Sequence, residues 1–374
     1  MRFLHTGDLH IGKKLHGYDL LADQRKILAD IVALAKAEKI DALVIAGDLY
    51  DRSVPPLEAI ELLNQFVEEV NLQEKIPILA VSGNHDSATR LAAGSRWYQM
   101  TDFYLHTQLA QAFQPVEIED TQFFLLPYFE PIAARLYFQD DSIRTLAQAL
   151  ERVVPEMEQQ FAADKKQVLV AHFFVAGSEK SDSETKIEVG GLDSVPSYLL
   201  QNFDYVALGH LHNRNALQEE KMRYSGSPLK FSLSEMQQEK GVWLVDLPDF
   251  KKEFMPLTPL FEMGQLKGSF QELLNPDFYQ NNNREDYLEI CLTDQGAIPN
   301  MMNQLRQVYP RILSITRENG REIEQAKITE QVKRRDLKPQ ELMTTFFEEM
   351  TDHELTTQQS NWLQEILGEV QGRE

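Results

Sequence analysis

The chain has 374 residues, 43% of them apolar and 25% charged, which suits a globular protein large enough for two or three structural units. Its net charge of −21 argues against a protein that coats nucleic acid by charge alone, because such binding rests on many Lys and Arg contacts to phosphate. A nucleic-acid enzyme stays open, since bound divalent metal reverses the sign locally whatever the total says.

Cys291 is the only cysteine, so no intrachain disulfide can form and a reducing compartment is expected. No apolar run approaches the ~20 residues that span a bilayer. Polar motif residues begin at His5, where a signal peptide would need apolar ones. The expected location is the cytoplasm.

Residues 1–7 (MRFLHTG), 41–47 (DALVIAG) and 77–83 (PILAVSG) are short apolar runs, each ended by glycine and a polar cluster. They read as buried strands. Between them Leu20, Leu21, Ile27, Leu28, Ile31, Val32 and Leu34 recur at helical spacing, as do Leu57, Ile60, Leu63, Phe66, Val67 and Val70. Strand–helix–strand alternation predicts an α/β sheet with polar loops at the strand ends. Further strands are expected at 167–172 (QVLVAH), 204–210 (DYVALGH) and 241–247 (GVWLVDL).

The character changes after about residue 262. Residues 286–293 alternate like a half-buried strand, 300–309 read as helix and 311–316 as strand, a small α+β unit. Residues 321–339 are charged without an apolar stripe and read as a linker or solvated helix. In the tail, Leu342, Phe346 and Met350 form one amphipathic stretch, and Trp362, Leu363, Ile366, Leu367 and Val370 another. Such a pair either folds back on its own body or docks a partner. The expected divisions are 1–262, 263–320, 321–338 and 339–374.

Polar clusters stand at the ends of five strands: Gly7-Asp8-Leu9-His10, Gly47-Asp48-Leu49-Tyr50-Asp51, Gly83-Asn84-His85-Asp86, His172, and Gly209-His210-Leu211-His212. Asp8/His10 and His210/His212 are spaced i, i+2, which in an extended segment points both side chains to one face. Taken singly, a histidine at a strand end is usually structural and a Gly-Asp usually a turn. Five clusters at five strand ends point elsewhere. His5, His16, His106 and His353 stand outside them and read as bystanders.

Asp8, His10, Asp48, Asn84, His172, His210 and His212 form a mixed nitrogen and oxygen donor set without thiolate, which suits manganese, iron or zinc better than calcium or magnesium. Seven ligands are too many for one tetrahedral site and about right for two ions sharing a carboxylate. Paired ions ~3.5–4 Å apart are the usual apparatus for displacement at phosphorus.

The set Asp8-x-His10, Gly47-Asp48-x-x-Asp51, Gly83-Asn84-His85-Asp86, His172 and Gly209-His210-x-His212 resembles that of the calcineurin-like metallophosphoesterases. Within them HTGDLHIG (5–12), AGDLYDR (46–52), SGNHDS (82–87), ALGHLHNR (207–214) and YSGSPLKFSLSE (224–235) are similar to the SbcD family of nuclease subunits. The resemblance covers 1–250 in motifs and the whole chain in layout. It implies a sandwich of two sheets flanked by helices over 1–262, a small α+β capping domain over 263–320, a linker over 321–338, and a helical hairpin over 339–374 that binds an SbcC-type ATPase.

The resemblance also implies that Asp8, His10, Asp48 and His212 surround one ion, with Asp48 bridging to a second held by Asn84, His172 and His210. Manganese is the family's usual activating metal. His85 would act on the substrate and bind no metal, helping the alkoxide leave, an effect worth roughly 10²–10⁴-fold. Asp86 would orient the His85 ring and raise its pKa. Asp51 stands where other relatives carry a second histidine, and no role is assigned to it.

The implied activity is a two-metal DNA nuclease, a 3′–5′ exonuclease on duplex and an endonuclease on single strands and hairpins, dimeric within a heterotetramer and serving DNA repair, recombination and replication. A small-molecule phosphodiesterase or phosphoprotein phosphatase on the same site is the alternative, although neither has a use for the capping unit and tail. A scaffold that lost its chemistry fits poorly with seven occupied positions. Lys13, Lys14 and Arg90 are candidate DNA contacts, with ordinary surface charge as the plainer reading. The apolar face at 57–70 and the segment after Asp86 are candidates for the dimer contact.

Overall fold

The computed structural model describes residues 1–178, 194–296 and 298–318, with 356, 358–360 and 362–363. The expected linker at 321–338 lies outside the described residues, as does nearly all of the expected hairpin at 339–374 and His353 within it. The chain divides into two compact units, one of Met1–Gly264 with Glu285–Leu288, the other of Gln265–Arg284 with Glu289–Glu374. Among the described residues no helix is long and apolar enough to cross a membrane.

The first unit opens with β1 (Arg2–Thr6), α1 (Leu21–Glu38), β2 (Ala42–Ala46), α2 (Leu57–Val67), β3 (Ile78–Val81) and β4 (Phe103–His106). It continues with β5 (Val116–Ile118), β6 (Thr121–Leu126), α3 (Leu146–Glu158), β7 (Lys166–His172), β8 (Tyr205–Gly209), β9 (Met222–Tyr224), β10 (Gly241–Asp246) and β11 (Lys251–Pro256). Two sheets result, in the orders β11-β10-β1-β2-β3-β4 and β9-β8-β7-β6-β5. In the first, β1 to β4 run parallel and β10 and β11 antiparallel. In the second, β6 to β9 run parallel.

Burial on both faces explains the continuous apolar strands. Every residue of β2, ALVIA, is fully buried, as expected of a parallel strand covered on both sides. Phe3, Val44, Leu79, Phe123, Val170 and Tyr205 belong to one core shared by the two sheets. There the Phe3 ring meets Phe123 and Tyr205 edge-on, each at 5.7 Å. Helix α1 buries Ile27, Leu28 and Ile31, side chains worth about 1.5–3 kcal/mol each. It ends at Lys39 in the left-handed conformation.

Strands β4 to β6 and helix α3 lie in a stretch for which sequence patterning offers no reading. They carry no glycine-polar cluster at their ends, so nothing marks them out. Yet TQFFLL of β6 is buried throughout, and α3 begins with a reciprocal cap between Thr145 and Gln148.

A three-stranded sheet follows, β12 (Met263–Gly268), β13 (Tyr287–Leu292) and β14 (Ile312–Arg317), in that order, with α4 (Met301–Val308) between the last two in sequence. Leu305 of α4, Ile290 and Leu292 of β13 and Ile312 of β14 are buried, the apolar side of the alternation read at 286–293.

Candidate metal centre

The parallel strands β1, β2 and β3 deliver three loops to one end of the first sheet. The first two loops prolong the β1–β2 ladder past the strands: Asp8 N–H donates to Gly47 C=O, His10 N–H to Asp48 C=O and Ile11 N–H to Leu49 C=O, each at 3.0 Å. Strands β7 and β8 of the second sheet carry His172 and Gly209 at their own ends.

The i, i+2 pairs do not converge by extended geometry. Asp8, His10 and Asp48 have φ of 50°, 42° and 48°, and His210 has 95°. Left-handed backbone at a residue other than glycine costs about 1–3 kcal/mol and persists only where surrounding structure enforces it. Here the continued ladder enforces it, and the side chains enter the nest from left-handed instead of extended backbone.

The glycines allow the loops to close up. A Cβ on Gly47 (φ 91°) would stand 2.3 Å from His172 Nδ1, and one on Gly83 2.2 Å from Asp48 Oδ1. Neither contact is possible, so GD and GN here are packing requirements as well as turns.

The side chains named above meet in one continuous cluster. Asp48 Oδ2 lies 3.6 Å from His10 Nε2 and 3.3 Å from His172 Nε2. His10 Nε2 is 3.1 Å from His212 Nε2. Asn84 Oδ1 is 2.9 Å from His172 Nε2 and 3.1 Å from His210 Nδ1. Asp8 accepts the His210 N–H at 3.0 and 3.1 Å, and its carboxylate groups with His10 and His212, and again with Asp48 and His172, with donor atoms within 4.8 Å of one another. Asp8, His10, Asp48, His172 and His212 are buried, whereas Asn84, His85 and His210 are partly open.

The chemistry of this nest calls for positive charge. His172 Nδ1 donates to the Ala46 carbonyl at 2.8 Å, so Nε2 is the atom that faces the oxygens of Asn84 and Asp48, a donor in the protonated ring and a lone pair in the neutral one. Electron pairs converging in a desolvated site need a proton or a cation among them. Burial raises the Asp48 pKa, but the charges of His172 and His10 and a hydrogen bond from His172 outweigh it and hold the carboxyl below its usual range. Burial lowers His172, yet Asp48 and then Asp8 carry it up to about 9. Asp8 is pushed up to about 6, chiefly by burial. His10 is pushed well down by burial, a neutral imidazole suited to coordination.

His85 donates its backbone N–H to Asp48 Oδ1 at 2.8 Å, and its ring Nδ1 donates to the Asp51 carbonyl at 2.9 Å. Asp86, expected from sequence to orient the His85 ring, hydrogen-bonds to backbone groups. It accepts three backbone N–H groups, from Leu49, Tyr50 and Gly83, at 3.1, 3.0 and 3.0 Å. Those donors are the nearer attraction for a desolvated carboxylate, and Asp86 therefore ties the Gly83 loop to the Asp48 loop. Burial and the Asp48 charge push its pKa up to about 7, with the three N–H groups pulling the other way.

Several contributors have no role assigned from sequence. Gln24 of α1 holds the first loop, donating to the carbonyls of Leu9 and His10 and accepting the Gly12 N–H. Asp51 pairs with Lys13 Nζ at 2.7 Å and lies 3.7 Å from His10 Nδ1. Lys13, read from sequence as a candidate DNA contact, is thus tied to Asp51, while Lys14 and Arg90 are exposed. Phe231 packs edge-on against the rings of His10 and His212. Of the bystanders, His5 and His106 are buried beside Tyr205 and the Leu125 carbonyl, and His16 is exposed.

Comparison with known proteins gives the family. Residues 1–214 match the family described as calcineurin-like phosphoesterase. Residues 259–351 match the type 5 capsule protein repressor C-terminal domain. An SbcCD nuclease subunit of Staphylococcus epidermidis, the SbcD chain, is 36% identical over 383 residues, covering 100% of both chains. Among solved structures, a Thermus thermophilus protein is 13% identical, with 68% of this chain and 98% of that one covered and a TM-score of 0.43. The phosphoesterase Yfce from E. coli is 17% identical over 70% of this chain and 98% of its own, with a TM-score of 0.29. The family model over 1–214 and the end-to-end relative carry the assignment: the chain belongs to the calcineurin-like phosphoesterase family, in its SbcD branch.

Proposed function

We propose that the chain is a manganese-dependent DNA nuclease, the counterpart of its staphylococcal relative, acting in the cytoplasm on DNA ends and hairpins together with an SbcC-type ATPase. The observation that carries the reading is the seven-residue nest itself, in which Asp48 reaches toward His10 on one side and His172 on the other. In it Asp8, His10, Asp48 and His212 would hold one divalent ion and Asp48, Asn84, His172 and His210 a second. Divalent ions held by these residues would supply an activated water for attack on phosphorus, with the P–O3′ bond breaking, and would neutralise the phosphoryl oxygens.

The chain's own residues supply the rest. Donation of His85 Nδ1–H to the Asp51 carbonyl leaves Nε2 as the outward nitrogen. In the protonated ring that nitrogen gives its proton to the departing 3′-oxygen. The partly open faces of Asn84, His85 and His210 give a phosphodiester its approach. Asp86 keeps the loops of Asp48 and His85 in register and takes no part in proton transfer.

Residues 263–320 are proposed as the capping unit and 339–374 as the element that docks the ATPase. A homodimer within a heterotetramer is supported by exposed apolar side chains of α2 and the segment after Asp86: Leu57 is 74% exposed, Trp97 77% and Met100 84%. An interface there would gather these side chains into one contiguous apolar patch, the arrangement that marks contact surfaces.

The test is manganese-dependent release of nucleotides from duplex DNA, run beside hydrolysis of p-nitrophenyl phosphate. Release from DNA is expected. Turnover of the ester alone would instead make the protein a small-molecule phosphoesterase.

A further inference from the structure

Behind His212 lies a charged pair that the reaction does not use. Glu235 is fully buried, Lys240 is 6% exposed, and Lys240 Nζ stands 2.6 Å from Glu235 Oε2. The ammonium also reaches the His212 carbonyl at 2.8 Å, Ser227 Oγ at 2.9 Å and Gln238 Oε1 at 2.9 Å. The other carboxylate oxygen, Glu235 Oε1, accepts from Ser232 Oγ at 2.9 Å and lies 3.6 Å from His212 Nδ1. His212 is therefore held at two points, its backbone by Lys240 and its ring by the field of Glu235. Ser227 N–H adds a second bond to the same carbonyl at 3.1 Å.

Stability alone is a poor reason for such a pair. Desolvating two charges consumes most of their attraction, and an apolar pair of similar volume often serves as well. Its location offers a better one. With Nδ1 toward a carboxylate, His212 presents Nε2 to His10 Nε2, and a carboxylate behind an imidazole fixes its tautomer and makes it a stronger donor. In the other half of the nest, His172 Nδ1 rests instead on the uncharged Ala46 carbonyl.

We propose that Glu235 and Lys240 are positioning residues that hold His212 and set the affinity of the subsite formed by Asp8, His10 and His212, leaving the subsite of Asn84, His172 and His210 untouched. This rests on the two-ion reading above.

The experiment titrates manganese into the full chain by calorimetry, with unbound ion followed by electron paramagnetic resonance, for the parent and for the double variant Glu235→Gln/Lys240→Met. The double variant removes both charges together, so neither is left buried alone, and its metal-free melting curve checks that it folds. One dissociation constant is expected to weaken by about 10–100-fold and the other to stay within about twofold, with activity restored by excess manganese. Two unchanged constants, or two that weaken together, would overturn the proposal. The single variant Glu235→Asp keeps the charge and shortens its reach; it is expected to show the same one-sided loss in smaller degree, and an even loss at both subsites would count against the role. A parent chain that takes up no manganese sinks the two-ion reading itself, a result distinct from either.

Discussion

His5 and His10 sit five residues apart on one strand and its extension, and the sandwich treats them in opposite ways. His5 lies between the sheets, with Nδ1 at 3.1 Å from the Tyr205 hydroxyl. Burial pushes its pKa down to about 3, with a Leu208 backbone contact opposing weakly. Among the described residues no carboxylate perturbs it, and a neutral, hydrogen-bonded ring is the cheapest buried histidine. His10 is as buried, but left-handed, and it faces Asp48, Asp51 and His212. The same residue type is core filler in the middle of the sheet and a candidate ligand at its end. What differs is the number of other polar groups that the fold desolvates beside it.

The contrast between the two histidines is tested most severely by Asp48→Asn. It removes the central negative charge of the nest while keeping its shape. Nuclease activity is expected to fall to background, and the rise in melting temperature that manganese gives the parent should vanish. Retention of both would show that the cluster is a structural polar core like that around His5.

His85→Ala should lower kcat by about 10²–10⁴-fold while leaving manganese uptake intact, because the ring donates to Asp51 and only the backbone of residue 85 touches Asp48. Loss of metal together with rate would place His85 among the ligands.

Asp86→Ala removes the acceptor of three backbone N–H groups and should cost about 3 kcal/mol in urea unfolding. If Asp86 instead acted on His85, the variant would keep its stability and change only the pH profile of kcat.

The smallest effect concerns His5. Its folded pKa lies below the unfolded value, so the unfolded chain binds the extra proton. Its contribution is present above the unfolded pKa of about 6.5 and is lost as pH falls through that value toward 3. The loss is roughly 2 kcal/mol by pH 5. Acid unfolding of His5→Gln should show a shallower slope over that window; an unaltered slope would mean that burial does not keep the ring neutral.

Much of the site is legible in the sequence because its chemistry is dense and local. Gly-Asp, Gly-Asn-His-Asp and Gly-His-x-His each close an apolar run, and parallel strands bring such ends together without further information. The partners supplied from elsewhere are not legible in the same way. Gln24 on α1, Lys240 on a loop before β10, and the three backbone N–H groups that claim Asp86 follow no spacing rule, and Glu235, though inside YSGSPLKFSLSE, shows no partner there. Strands β4 to β6 and helix α3 are silent for a related reason: they do packing and carry no chemistry.

The parallel α/β core, the five clusters and their metal-binding character follow from the order of residues alone, since strand periodicity and donor type are properties of short segments. Three-dimensional packing settled the rest: that Asp8, His10, Asp48 and His210 reach the nest through left-handed backbone, that Asp86 accepts three backbone N–H groups of two loops, and that a buried ion pair backs His212. Each of these depends on which groups lose their water together, and desolvation is set by segments far apart in the chain.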